Sequence, residues 1–292
     1  MSLGAAIQLT AGGVSAGCLY ALVALGLHLV FKATKAINFA HGEQVMVSGL
    51  VALTLAGPLG LPLPAAFALT VLFGAGFGWL YERALIRRVL SEGHLSIILL
   101  SVAVAIVLEN GGALLWGKEP QPFRGFSGDE PVSVLGAGIH PQTFWVVGLT
   151  AVSLASLHWF FTRTAAGTAI EAAANNPTAA RLVGISPERA TRHSFVIASA
   201  LAAAVGITGA PLLMVGGSLG TVVALKGFAA LVVGGQASSL GVVLGGLLLG
   251  LLEFFSAFFL SQGYRDAVSF AVLIAVLLFR PQGLFARAGG AG

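Results

Sequence analysis

The chain has 292 residues, 57% of them hydrophobic and only 9% charged, with a formal net charge of +4 at pH 7. This composition excludes an ordinary soluble domain, because apolar segments of about 20 residues, the length that a bilayer core requires, recur along it. The few cations are spread over loops rather than gathered on one basic face, so no nucleic-acid partner is expected. The single cysteine excludes an intrachain disulfide, and no metal site is expected.

The apolar segments predict an all-α fold, a polytopic membrane helical bundle of about nine spans, with a range of eight to ten. The strict alternation of a membrane β-strand is absent. The first segment is too long for a signal peptide and lacks a basic leader, so we expect it to be retained. The predicted spans cover, in chain order, residues 7–31, 37–57, 62–81, 95–116, 143–161, 193–217, 219–236, 239–260 and 266–279. Segment 219–236 is short and broken by glycines, so it is either a thin span or a re-entrant element.

Two connecting segments differ in charge and predict the orientation of the chain. Acidic residues outnumber basic ones in 117–142, whereas 163–192 carries four arginines. Because cytoplasmic loops carry an excess of Lys and Arg, 117–142 is predicted to lie outside and 163–192 in the cytoplasm. The whole chain, 1–292, is expected to form one transmembrane domain.

The stretch INFAHGEQVMVSG, residues 37–49, places polar side chains beside long apolar runs. A charge at the bilayer centre costs about 2.5–3.5 kcal/mol on insertion scales, so polar groups within spans face a partner or a water-filled cavity. Such groups either line a pathway or gate for a zwitterionic substrate, or form hydrogen bonds that hold broken helix ends in place. The second reading is favoured for His41 and Glu43, since this span is expected to start close to the inner surface. The candidate pathway or gate residues are Asn38, His41, Glu43, Glu109, Asn110, Lys226, Gln236 and Glu253.

Small residues at four-residue spacing predict close helix packing within the membrane. Segment 239–260 carries two such pairs, Gly241 with Gly245 and Gly246 with Gly250. Similar pairs at 13–17 and 74–78 are within what chance allows in a chain with 40 glycines, so only the doubled pair is taken as a packing signal.

The inner segment 163–192 predicts a short helix over 177–183. Asn176 is a suitable N-cap, Pro177 suits the first helical position, and Gly184 suits the stop. Ala179, Ala180 and Val183 give a small apolar patch, edged by Arg181. This helix either lies on the protein's own inner surface or docks a cytoplasmic partner.

Several blocks of the sequence resemble the branched-chain amino acid permease family of ABC importers, in particular its LivH type. They are YALVALGLHLVFKATKAINFAHGE, AANNPTAARLVGISPERA, KGFAALVVGGQASSLGVVLGGLLLGLLE and FAVLIAVLLFRPQGLF, and they follow the family's order over nearly the whole chain. Glu171-Ala172-Ala173 with a later glycine resembles the segment through which ABC-importer permeases couple to their ATPase. The resemblance assigns this coupling role to Glu171, Asn176, Pro177, Ala180, Arg181, Val183 and Gly184.

The resemblance implies a permease domain with the ABC-importer permease fold, in the cytoplasmic (inner) membrane of a bacterium or archaeon, in contact with membrane lipid. Its implied partners are ATP-binding cassette subunits, a second homologous permease of LivM type and an extracytoplasmic substrate-binding protein. No cofactor is expected on this chain, since ATP and Mg would be held by the ATP-binding subunits. The implied substrate is a branched-chain or other hydrophobic amino acid; urea or a short amide is the alternative within the family.

Single motifs in the sequence suggest three other functions. Residues 112–118 approach a Walker A loop, but Glu119 stands where a Ser or Thr is required. A membrane hydrolase pairing Ser15 with His41 is the rival from another class, although the Gly-x-Ser-x-Gly pattern here lies within a continuous apolar helix. An ion-coupled secondary transporter is the third reading, and no clear pair of ion-coupling acids supports it.

Overall fold

The apolar segments form long helices in the computed structural model, which describes residues 2–134 and 136–285. The helices are α1 (Leu3–Thr34), α2 (Ala40–Ala56), α3 (Leu63–Tyr81), α4 (Arg87–Val89), α5 (His94–Trp116), α6 (Gln142–Arg163), α7 (Ala165–Asn175), α8 (Pro177–Leu182), α9 (Pro187–Leu213), α10 (Leu219–Gly234), α11 (Ser239–Phe259) and α12 (Arg265–Phe279). A π-helical turn, Glu82–Ile86, joins α3 to α4, and a 3-10 turn, Gln262–Tyr264, precedes α12.

Seven helical segments in the described part of the chain are long and apolar enough to cross a membrane. They are Leu3–Thr34, Leu63–Val89, His94–Trp116, Gln142–Arg163, Pro187–Leu213, Ser239–Phe259 and Gln262–Phe279. Helices α2 and α10 have 17 and 16 residues, so they reach only about 25 Å, less than the ~30 Å of a hydrocarbon core. The helical, multi-pass architecture is therefore confirmed, and the count of nine spans stays a prediction.

The predicted outer segment contains a small β-ribbon that the sequence analysis did not predict. Strands β1 (Val132–Val134) and β2 (Ala137–Ile139) pair antiparallel, with Val132 opposite Ile139. The turn between them includes Gly136 in the left-handed region, with φ at 81°. Strands of three residues are too short to show an alternating pattern, so the all-α description holds for the membrane segments but not for this ribbon.

The chain divides into two compact units. The first contains residues 1–25, 124–152 and 225–292, and the second contains residues 26–123 and 153–224. Helices α1, α6 and α10 each contribute residues to both units. The single domain over 1–292 stays a prediction.

In the second unit, α2 and α3 pack on α9 through glycines. A methyl group placed on Gly78 of α3 would lie 2.5 Å from the Phe195 carbonyl oxygen, and one on Gly74 would lie equally close to the Ser199 carbonyl. On α9, a methyl group on Gly206 would lie 2.8 Å from the Gly49 amide nitrogen of α2. The pair at 74–78 therefore lies in a helix contact and is not a chance match, contrary to the prediction.

In the first unit, α11 uses two faces that differ in partner. Gly241 and Gly245 lie against α10, and a methyl group on Gly245 would lie 2.5 Å from the Ala230 carbonyl oxygen. Gly246 and Gly250 lie against α1, and a methyl group on Gly246 would lie 2.6 Å from the Ala21 amide nitrogen. The second glycine pair begins five residues after the first, so the two pairs lie on different faces of α11.

Candidate functional site

The inner segment folds as its local signals predict. The Asn176 side chain accepts a hydrogen bond from the Ala179 amide at 2.9 Å, and Pro177 holds the first position of α8. Gly184 follows the helix with φ at 82°, in the left-handed region that favours glycine. Ser186 then caps α9 by accepting from the Arg189 amide. Helix α8 thus stands as a separate, capped element between α7 and α9.

The outward face of α8 differs from the patch expected from the sequence. Ala180 is only 3% exposed and packs against the protein, so it cannot belong to a surface patch. Leu182 and Val183 are 86% and 74% exposed. Leu182, which the sequence analysis did not single out, therefore replaces Ala180 beside Val183. Leu182 and Val183 thus form a small exposed apolar pair at the end of α8.

Two ion pairs connect the inner segment to the helices around it. Lys32 at the end of α1 contacts the Glu171 carboxylate of α7 at 2.5 Å. Arg192 in α9 donates to Glu82, which is fully buried in the π-helical turn, at 2.8 Å. Glu171 thus has a positional role in α7, and the contribution of its pairing to coupling stays a prediction.

Helix α2 starts deep in its bundle. The Phe39 amide donates to the Ser101 hydroxyl at 3.1 Å, and Tyr81 donates to the Asn38 side chain at 3.2 Å. Ser101 lies seven residues after His94, the first residue of α5, which is about 10 Å along that helix. Glu43 lies one turn further on, deeper in the bundle than the sequence analysis expected.

The side chains that follow on α2 are buried but incompletely hydrogen-bonded. Glu43 accepts from the Thr221 hydroxyl at 2.9 Å, and Gln44 accepts from the Ser199 hydroxyl at 2.8 Å. Among the described residues, the second Glu43 oxygen, the Gln44 amide nitrogen and both ring nitrogens of His41 have no hydrogen-bond partner. Native proteins rarely leave buried polar atoms unpaired, so the cluster at the start of α2 calls for an explanation.

A separate ionic cluster occupies the first unit. Lys226 of α10 contacts Glu253 of α11 and Asp266 of α12, each at 2.6 Å. The Tyr20 hydroxyl of α1 donates to the same Glu253 oxygen at 3.1 Å, and Arg265 forms a further ion pair with it. Two cations and two anions balance, so the cluster is neutral although Glu253 is fully buried. Lys226 and Glu253 were both predicted as pathway or gate residues. In the structure they form an ion pair with each other.

The remaining predicted pathway residues lie apart from these clusters. Glu109 is half-buried on α5, and the neighbouring Asn110 is exposed and donates to the Ile106 carbonyl of its own helix at 2.8 Å. Gln236 is exposed in the turn between α10 and α11, after Gly235 with φ at 90°. No buried polar cluster in the described residues contains Gln236, and its pathway role stays a prediction.

The two enzyme-like motifs lack the geometry of their chemistry. Among the described residues neither the Ser15 hydroxyl nor His41 has a hydrogen-bond partner, although a serine nucleophile requires an adjacent base. Residues 112–116 belong to α5, and Leu114 and Leu115 project outward where a phosphate loop needs free backbone amides.

The chain matches the family model described as "Branched-chain amino acid transport system / permease component" over residues 9–277. It is 31% identical to the high-affinity branched-chain amino acid transport system permease protein LivH of Escherichia coli K12, over 96% of each chain. It is 32% identical to the corresponding protein BraD of Pseudomonas aeruginosa, again over 96% of each. Among solved structures, PsaBC from Streptococcus pneumoniae in complex with Fab has a similar fold, with a TM-score of 0.50 and 14% identity over 93% of this chain and 91% of that one.

Proposed function

Because the chain belongs to the branched-chain amino acid transport system permease family, we propose that it is the membrane subunit of an ATP-driven importer for branched-chain or other hydrophobic amino acids. The observation that carries the proposal is the family match over almost the whole chain. In this proposal α2 and α10 complete nine spans in an ABC-importer permease fold. A second permease, ATP-binding subunits that hold ATP and Mg, and an extracytoplasmic binding protein complete the importer in the inner membrane.

Uptake into proteoliposomes tests this proposal. The permease is reconstituted with its partner permease and ATP-binding subunits, and the binding protein is added outside. We expect leucine uptake only when ATP is enclosed. Uptake of urea or a short amide in place of leucine would support the alternative substrate class. A secondary transporter would be indicated by two results together: leucine uptake without ATP, and no ATPase that co-purifies with the chain.

Coupling is assigned to α8 in this proposal. Its exposed Leu182 and Val183 form an apolar contact for an ATP-binding subunit, while Asn176 and Gly184 define the two ends of the helix. Ala180 faces inward on α8, which packs on α7 and α9, and the Lys32–Glu171 pair joins α7 to α1. These contacts transmit the movement to the bundle. Movement of the ATP-binding subunits is thereby delivered to α9, which follows directly.

Replacing Leu182 by glutamate is expected to abolish assembly with the ATP-binding subunits and to reduce uptake at least tenfold. The reason is that a charge in the centre of an apolar contact must be desolvated without a partner. The measurement is co-purification of the ATPase together with leucine uptake. Leu59→Glu is the matched control, because Leu59 is also an exposed leucine, at 61%, but lies in the turn after α2 and away from α8 in the chain. Normal assembly of Leu182→Glu would remove α8 from the coupling assignment.

The start of α2 is assigned to the gate. His41, Glu43 and Gln44 present buried polar atoms that no described protein group pairs. Because leaving such an atom unpaired costs about 1–3 kcal/mol, an arrangement in which water or a polar substrate binds them is favoured. An alternating-access cycle supplies such an arrangement. The polar atoms then become part of the wetted route, where the charged ends of a zwitterionic amino acid need hydrogen-bonding partners.

Cysteine labelling tests the gate, and the chain suits it because Cys18 is its only cysteine and is buried. In a Cys18→Ser background, Gln44→Cys is expected to react with a membrane-permeant maleimide several-fold faster when the transporter turns over ATP. Ala52→Cys, at a buried apolar position of the same helix, is the control and should stay unreactive. Equal, slow labelling of both positions in every nucleotide state would show that α2 does not line the route.

A further inference from the structure

A cavity of 210 Å³ lies beneath α8, where α1 ends and α5 and α9 begin. Its volume is several times the ~30 Å³ share of one water molecule, and it is smaller than the ~300 Å³ lower bound for drug-sized ligands. The cavity therefore has the size of a single small metabolite. Neither the gate at α2 nor the outward face of α8 uses it.

Most of the cavity wall is aliphatic. Leu90 and Ile97 line it near the start of α5, and Ile170 and Ala173 line it from α7. Ile97 and Ile170 are each about 1% exposed, so their positions are held by packing. A wall of this kind favours an aliphatic group by removing its surface from water.

The rim of the same cavity carries one charge of each sign. Arg181 of α8 donates through Nη2 to Glu188 Oε1 of α9 at 2.8 Å, and the Ser186 hydroxyl donates to Glu188 Oε2 at the same distance. Among the described residues this is the hydrogen bond that the Arg181 guanidinium makes, so Nε and Nη1 are left to bind a carboxylate. Both side chains are partly exposed, so a ligand can approach them from water.

We propose that this cavity binds an α-amino acid with an aliphatic side chain, with its carboxylate on Arg181, its ammonium group on Glu188 and its side chain against Ile97 and Ile170. The inference rests on the proposed function for its ligand class, because the importer delivers such molecules to this side. A bound amino acid bridges α8 to α9 and restrains the helix that couples to the ATPase. Accumulated product thereby slows its own import.

Direct binding is measured on the permease assembled with its ATP-binding subunits, in nanodiscs and without the binding protein. Radiolabelled leucine is expected to bind saturably. Leucinamide, which lacks the carboxylate, and 4-methylpentanoate, which lacks the ammonium group, are expected to compete at least tenfold less well than unlabelled leucine. Absence of saturable binding, or equal competition by all three compounds, overturns the proposal. Binding to the isolated permease but not to the assembled complex also overturns it, since an ATPase segment then fills the cavity.

A cavity-filling variant tests whether leucine binds in this cavity. Ala174→Leu puts a larger side chain into the cavity wall and is expected to weaken leucine binding at least tenfold. Should this variant fail to assemble, Ala174→Cys in the Cys18→Ser background decides instead, because bound leucine should slow its reaction with N-ethylmaleimide. Thr168→Cys, exposed on the same helix and outside the cavity, is the control and should be unaffected. Leucine binding without protection of Ala174→Cys places the site elsewhere and contradicts the proposal.

Uptake measurements distinguish a failure of regulation at the cavity from a failure of the importer assignment. Leucine enclosed with ATP is expected to slow initial uptake by the wild type several-fold and to slow uptake by Ala174→Leu much less. ATP-dependent uptake that internal leucine does not slow would reject regulation at the cavity and leave the importer assignment standing. Failure of ATP-dependent uptake would reject the importer assignment, and the binding measurement would still decide whether the cavity holds an amino acid.

Discussion

Replacing Glu253 by leucine is expected to lower the free energy of unfolding by about 3 kcal/mol, because it leaves the buried Lys226 ammonium with one partner fewer and the cluster with a net positive charge. Breaking a buried ion pair on one side costs about 3–5 kcal/mol. The lower figure applies because Lys226 keeps its contact with Asp266. The measurement is SDS titration of the detergent-solubilised protein.

The double variant Glu253→Leu/Lys226→Met tests whether the pair is the cause. It restores neutrality, so its stability is expected to lie much closer to that of the wild type than the single variant does. Asp266→Asn is the control at the exposed edge of the cluster, where Asp266 is 64% exposed and its charge is screened. A change of less than about 1 kcal/mol is expected there. If the double variant were less stable than Glu253→Leu, the cluster would not be an electrostatic unit.

Gly78→Ala is expected to destabilise the protein by about 1–3 kcal/mol, as overpacking in a close helix contact does. The added methyl group would lie 2.5 Å from the Phe195 carbonyl oxygen, and a backbone atom cannot move aside as a flexible side chain can. The same titration, with α-helical content as the signal, measures the loss.

Gly76 supplies the matched control two residues away on α3. Nothing lies within 4 Å of a methyl group at that position. Gly76→Ala should therefore be neutral or slightly stabilising, since alanine is favoured over glycine inside a helix by up to about 1 kcal/mol. Equal effects at both positions would show that α3 and α9 are not in close contact.

Local signals predicted the inner segment well. Asn176, Pro177 and Gly184 act through their own backbone neighbours, so their sequence spacing is enough to define α8. The face of α8 could not be predicted in the same way. Whether Ala180 or Leu182 points outward depends on what α7 and α9 place beneath the helix, and a six-residue helix is too short to show a hydrophobic period.

Contacts between residues that are distant in the sequence were the main feature that could not be predicted. Lys226 and Glu253 were recognised singly, because a charge inside an apolar run is visible in the sequence, but their contact depends on how α10 and α11 pack. Glu82 and Arg192 lie 110 positions apart, outside the predicted spans or at their edge, and nothing in the sequence indicates their pairing. Polar residues at the start of α2 were recognised, whereas their depth required the contact of Phe39 with Ser101.

The π-helical turn at Glu82–Ile86 has a consequence for the alignment of related chains. Such a turn holds one residue more than an α-helical turn, so it corresponds to a one-residue insertion within a continuous helix. It leaves Glu82 buried against Arg192 while Arg83 and Arg87 are exposed. A relative that lacks the extra residue would present every later side chain rotated by about 100°, the angle of one residue in an α-helix. An ungapped alignment would therefore pair residues that face different directions on the helix, and a single gap placed at this turn restores the correspondence.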